Sequence, residues 1–481
     1  MSSKYNYPPG LDRNLLFYFF TKFRPGDPIR FFEHLVRTYG DAASYKIGPN
    51  RIVFFNHPDL IREVLVNKAG SFHKERTQDR MKILLGNGLI TSEEPVHRRQ
   101  RLMAQPAFHR VRIAGYARHM VEMAQQRRAE WTKRTERGAT EIDMHDEMME
   151  LTLSVVAITL FNTEVNAQVR AINDEVNAVM RLYNFLVALP QRARWLLELP
   201  VPGAARFRRA RSRLNDVING MIEEHRRSGD KEAADPDLLS MLLSARYEDG
   251  SAMSDEQLRD EVMTIFLAGY ETMANALTWT WYLLAENPQA ESRLQAEIDH
   301  VLGQGEGARI AKIDDLPRLR YVEQVLAESM RLYPPAWAMG RRAIEDVDIG
   351  AWRIERGAYI YFSQYVLQRT DKYWPDPLRF DPERFAREAE PEDERVAGAR
   401  AAAQRSEAAR KEARHPFIYF PFGGGPRKCI GESFAWTEGV LLLSTLAQRF
   451  RARIAPGFTP TLYPSVTLRP RHGMKMILER R

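Results

Sequence analysis

The sequence predicts a mainly α-helical protein carrying small β-sheets, and three observations point there. From about residue 95 to 335 the apolar side chains recur at almost entirely helical spacing. Within that stretch one segment reads as a helix of more than thirty residues, opened by a capping box of Ser254 and Gln257 and closed by Pro288. Short β-like runs, Ala43-Ser44-Tyr45-Lys46-Ile47 and Arg51-Ile52-Val53-Phe54-Phe55, precede the helical stretch; strand-like material returns at 341–363 and around Ser465-Val466-Thr467-Leu468.

A length of 481 residues would suggest about three domains on length alone. No break in composition divides the chain, so the expectation is one domain spanning 1–481. Hydrophobic residues at 44% and charged residues at 28% mark a globular chain with a large core, which excludes disorder. The net charge of +7 is a modest excess at this length, and no basic, aromatic-rich module for nucleic acid stands out. No run approaches the ~20 apolar residues of a transmembrane anchor. The nearest, Leu15-Leu16-Phe17-Tyr18-Phe19-Phe20, is short, is followed by Lys22 and Arg24, and lacks the marks of a signal peptide. It reads as an amphipathic helix on the body of a cytoplasmic protein. Residues 386–414, rich in Ala, Arg and Glu, read as a surface insertion with no chemistry of their own.

There is one cysteine, Cys429, which excludes an intrachain disulfide and a multi-cysteine zinc site. A lone cysteine is by default a small buried hydrophobe. Its neighbours say otherwise: in Phe422-Gly423-Gly424-Gly425-Pro426-Arg427-Lys428-Cys429-Ile430-Gly431, three glycines and a proline bend the backbone and clear space for a flat, bulky group. A helix starting near Cys429, with Arg427 close by, is expected to favour thiolate over thiol. The long helix carries a second anomaly at its centre, Ala268-Gly269-Tyr270-Glu271-Thr272, where a glycine costs about 1 kcal/mol against alanine.

These residues resemble the cytochrome P450 family. Its cysteine pattern, Phe-x-x-Gly-x-Arg-x-Cys-x-Gly, is met by Phe422, Gly425, Arg427, Cys429 and Gly431, whereas a phosphate loop would need Ser or Thr after Lys428. Glu328 and Arg331 match the family's Glu-x-x-Arg helix, and Arg384 supplies the third member of a buried Glu/Arg/Arg cluster. The resemblance covers nearly the whole chain. It implies the family's fold, with the long central helix over a haem b whose iron takes Cys429 as axial ligand. Ala268 and Gly269 would leave room for oxygen, Thr272 would hydrogen-bond it, and Glu271 would relay protons. The alternative is a kinked packing helix whose threonine bonds its own backbone. His97 and Arg101, one helical turn apart, resemble the pair that binds haem propionates, joined by Arg427 and by Arg341 or its neighbour Arg342. Substrate contacts are implied for about 73–95, for 176–200, for Ala336-Trp337-Ala338-Met339 and for the turn near Ser465, whose composition suits an apolar ligand.

The implied activity is that of a monooxygenase, which inserts one atom of O2 into an apolar molecule by hydroxylation or epoxidation. The chain ends soon after the last β-like segment, so no fused reductase is expected and a separate ferredoxin or flavodoxin would supply electrons. A peroxide-dependent enzyme and a non-catalytic haem-binding protein are the alternatives. Intact Glu271 and Thr272 speak against the first; a proton relay with a substrate cavity would speak against the second.

Overall fold

The axis of the structure, a computed structural model, is the 32-residue helix Asp255–Glu286, roughly 48 Å long at 1.5 Å per residue. The structure describes residues 5–15, 27–163, 202–228, 237–386 and 415–481. Ser254 caps the central helix by accepting the Gln257 amide at 3.2 Å. The Gln257 side chain turns instead to Glu261 and to the Asn87 carbonyl, so only half of the expected capping box forms.

The helix is apolar on all sides because it is covered on all sides. Helix Met144–Phe161 lies along it, and helices Arg320–Leu332 and Glu432–Ala447 pack elsewhere on its surface. Gly269 permits the first of these approaches: a Cβ there would lie 3.0 Å from Val156 Cγ2. The expected role of that glycine, clearing space for oxygen, is therefore joined by a packing role. At the same level the Thr152 hydroxyl donates to the Tyr270 carbonyl and the Thr272 hydroxyl to the Ala268 carbonyl, both at 2.9 Å. Side-chain donors entering the carbonyl ladder in this way loosen a helix locally.

The main sheet has six strands in the order β1-β2-β3-β9-β6-β4: Gly10–Asn14, Ala42–Ile47, Asn50–Phe55, Tyr359–Phe362, Met339–Ala343 and Phe72–Lys74. Along β6 Arg341 is buried and Arg342 exposed. Strands β7 (Val347–Ile349) and β8 (Trp352–Ile354) form a small separate hairpin.

Two elements differ from the sequence reading. Strand β5 (Thr140–Asp143) interrupts the helical stretch, because its partner β13 (Lys475–Arg480) lies more than 300 residues away, where local spacing cannot show it. β13 pairs on its other edge with β10 (Phe450–Ile454). Ser465-Val466-Thr467, read as strand, forms the turn between β11 (Leu462–Pro464) and β12 (Leu468–Pro470). Residues 16–20 of the apolar N-terminal run, the 176–200 segment and 387–414 lie outside the described residues. Among the described residues no helix is long and apolar enough to cross a membrane.

Glu328 and Arg331 are fully buried and joined by two bonds of 2.6 and 2.7 Å, with Arg384 at 3.4 Å from the same carboxylate. Arg331 also donates to the carbonyls of Gln368, Pro377 and Arg379, tying its helix to the loops ahead of the cysteine segment.

Candidate active site

The cysteine loop is set by one tight approach. Gly425 has φ +71°, and a Cβ there would sit 1.8 Å from the Leu65 carbonyl oxygen, an overlap with main chain that no rotamer relieves. Gly425→Ala is accordingly expected to cost about 3 kcal/mol and to loosen the loop, read as a lower melting temperature and earlier haem release on heating. The Cys429 amide donates to the Phe422 carbonyl at 3.0 Å, closing the bend, while the Phe422 ring packs on Trp436 at 5.8 Å.

Cys429 is open to a water-sized sphere, yet the protein around it desolvates the sulfur and pushes its pKa up. Both hold for a group on the floor of an internal slot. The expectation that the helix would make it a thiolate is corrected here. The helix starts at Glu432, past the cysteine, and the Gly431 N–H aimed at the sulfur, with Arg101 and Lys428 nearby, only opposes the larger effect of burial. Arg427 points elsewhere, to Glu93 at 2.5 Å and to the Ser92 carbonyl at 3.0 Å. Coordination to a metal would deprotonate the ligating thiol.

The central helix is buried along its middle except at Ala268, Gly269 and Thr272, which are partly open. An open stripe on a helix covered on all sides marks an internal cavity. Helix Glu432–Ala447, which follows the cysteine loop, packs close to this stretch: a Cβ on Gly439 would lie 3.1 Å from Met273 Cε. Glu271 is not on the open face. It is buried on the flank, its carboxylate held by Arg469 at 2.6 and 2.8 Å and by the Thr467 hydroxyl.

A group of cations lies on the Glu93 side of the cysteine loop. Lys74 on β4 pairs in register with Arg341 on β6, placing like charges opposite each other across two strands. Lys74 Nζ donates to the Leu89 and Ser92 carbonyls. Burial, with Arg427 nearby, drives its pKa down to about 6 and that of Arg341 to about 10. His97 is lowered to about 4 by burial and by Arg427 and Lys74, so it is neutral near pH 7. Its Nδ1 meets Glu94 Oε1 at 2.9 Å; the tautomer that donates there leaves Nε2 to accept. Arg101 donates to the Lys428 carbonyl at 2.8 Å. Of the expected cradle, His97, Arg341 and Arg427 form one cluster and Arg101 braces the loop. Lys74 was missed in the sequence; its alternation with buried Phe72 was the available signal.

These residues fit a haem. The slot has a single sulfur at its floor and small side chains on the helix beside it, and anionic carboxylates placed among Lys74, Arg341 and Arg427 would offset charges the protein otherwise disfavours. Among the described residues no cluster of His, Cys, Asp and Glu offers a different metal site.

Fold and site together define a haem-thiolate protein. The cytochrome P450 family model matches residues 8–476, and the chain belongs to that family. It is 37% identical to cyclooctatin synthase of Streptomyces melanosporofaciens, over 93% of this chain and 89% of that one. Cyclooctat-9-en-7-ol 5-monooxygenase of the same organism is 36% identical over 90% and 86%, and pentalenene oxygenase of Streptomyces avermitilis 34% over 89% and 88%. The chain is a haem-thiolate monooxygenase for apolar substrates.

Proposed function

We propose that this protein hydroxylates or epoxidises a terpene, using O2 and electrons from a separate ferredoxin or flavodoxin in the cytoplasm. The observation that carries the reading is the pairing of a lone, slot-floor sulfur with an open Ala268/Gly269/Thr272 stripe on an otherwise covered helix. The kinship to enzymes named for cyclooctat-9-en-7-ol and pentalenene supports the substrate class.

Haem b, when bound through Cys429, supplies the oxygen-activating chemistry. The chain's own residues do the rest. Lys74, Arg341 and Arg427 hold the propionates, and His97 joins them by taking up a proton at Nε2 as a carboxylate arrives. Thr272 donates its proton to the Ala268 carbonyl, so its oxygen stays free to accept a hydrogen bond from the open side. Thr272→Ala is expected to raise the peroxide released per electron pair about tenfold, toward the limit of one peroxide per pair, as loss of a positioned proton-transfer group predicts; peroxide assays on the haem-loaded protein check this.

An acidic donor would be steered by exposed cations near the cysteine loop, Lys428 and Arg98, and exposed Leu102 (56%) and Val111 (73%) offer apolar contact. Basic rims steer acidic partners, and apolar centres hold them. The test is turnover of a terpene panel with a surrogate ferredoxin and its reductase, against peroxide alone. Oxygenated product with the ferredoxin supports the reading; product with peroxide only overturns it.

A further inference from the structure

The acid of the central helix, Glu271, is not pointed at the alcohol it precedes in sequence, Thr272. Successive helical residues turn by about 100°, so Ala268, Gly269 and Thr272 share one open face and Glu271 faces the flank. There it meets β12, where Arg469 approaches its Oε1 through both Nη2 and Nε, at 2.6 and 2.8 Å, and the Thr467 hydroxyl donates to the same oxygen. Asn275, one turn along the helix, completes the arrangement by donating to the Glu271 carbonyl at 2.9 Å and to Thr467 Oγ1 at 3.3 Å. All four residues are buried. The hairpin that carries Arg469 is itself bolted in place: the Leu468 amide donates to the Pro335 carbonyl at 3.0 Å, Trp279 Nε1 to the Leu468 carbonyl at 3.0 Å, and Trp337 Nε1 to the Ser465 carbonyl at 2.8 Å. Pro335 immediately precedes, and Trp337 lies within, the segment Ala336-Trp337-Ala338-Met339 that the family resemblance implies for substrate contact.

We propose that Arg469, steadied by Thr467, is a positioning residue that parks the Glu271 carboxylate away from Thr272 and thereby sets when this acid passes a proton. The inference rests on the monooxygenase reading above. With Oε1 taken up by Arg469 and Thr467, the carboxylate is held on the flank, out of reach of the open face, and cannot hand a proton to Thr272 while it is held there. On leaving Arg469 it takes a proton from a hydronium ion of the solvent, hands it to the Thr272 oxygen as that hydroxyl releases its own proton to the open face, and returns to the guanidinium as the carboxylate, so one proton moves from solvent to the open face per cycle. Because the hairpin is tied to the 335–337 segment, a ligand pressing on that wall has a direct mechanical route to the grip.

The test uses the haem-loaded protein with a surrogate ferredoxin and its reductase, and pentalenene as the probe. It reads peroxide formed per electron pair consumed, which requires no product, together with the solvent isotope effect on that ratio. Arg469→Met and Arg469→Lys are compared in the native and Glu271→Gln backgrounds. The expected result is a change of about twofold or more, with an altered isotope effect, when Glu271 is present and none when it is Gln; residues sharing one network couple at least this strongly. Equal changes in both backgrounds, or none in the native one, would overturn the proposal. A Glu271→Gln protein whose peroxide ratio matches the native one would remove the acid from the reaction altogether, and the reading it rests on loses its relay. Melting temperatures of the same six proteins show independently that the pair is coupled: additive losses count against it. Should Arg469→Met fail to fold, Arg469→Lys and Thr467→Val carry the comparison.

Discussion

Cys429→Ala is expected to bind haem without the red-shifted Soret band that a thiolate ligand gives the reduced, carbon-monoxide-bound protein, and to lose all oxygenase activity. The side chain removed is small and exposed to the slot, and none of its packing carries the fold. Its stability cost should stay within about 1 kcal/mol, as for substitutions away from packed features. The propionate side is untouched by the change, since Lys74, Arg341 and Arg427 are anchored through Leu89, Ser92, Gly340 and Glu93. Loss of the band with retained haem and a retained melting temperature would place the entire effect on ligation. A retained band would remove Cys429 from the metal.

Arg331→Ala should have the opposite signature, a large loss of stability before any question of chemistry. The guanidinium is fully buried, bonded twice to Glu328 and to three main-chain carbonyls, and stacked 5.0 Å over Trp374. Its removal leaves a buried carboxylate with Arg384 at 3.4 Å and the Asp381 amide as remaining partners. Breaking such a pair from one side costs about 3–5 kcal/mol, out of a total of some 5–15 kcal/mol. The expected outcome is little folded, haem-loaded protein at 37 °C, measured by haem content per mole of chain and by thermal denaturation. A variant melting within about 2 °C of the parent would show the cluster to be dispensable.

The central helix, its cap and its end were legible because caps and a closing proline are local signals, and the cysteine loop because its glycines and proline are. The buried Glu328/Arg331/Arg384 cluster was legible only through resemblance, since an i,i+3 pair on its own reads as a solvated surface contact. What stayed hidden is non-local. Glu271 was read as a free relay because its partner lies 198 residues away; Lys74 joins the propionate cluster only through strand register with Arg341; and β5 exists because β13 returns to it. The helix start was misplaced for a different reason: the sequence reading set it near the cysteine, whereas the turn through Gly431 delays it to Glu432.

The central claim is that this chain places one atom of molecular oxygen into an apolar molecule. Turnover under 18O2, with a ferredoxin, its reductase and a terpene accepted by the protein, tests it most directly. The product should carry one 18O atom per oxidation, and no label when 18O is supplied only in water. Unlabelled product from 18O2, or labelled product from H218O, would contradict it.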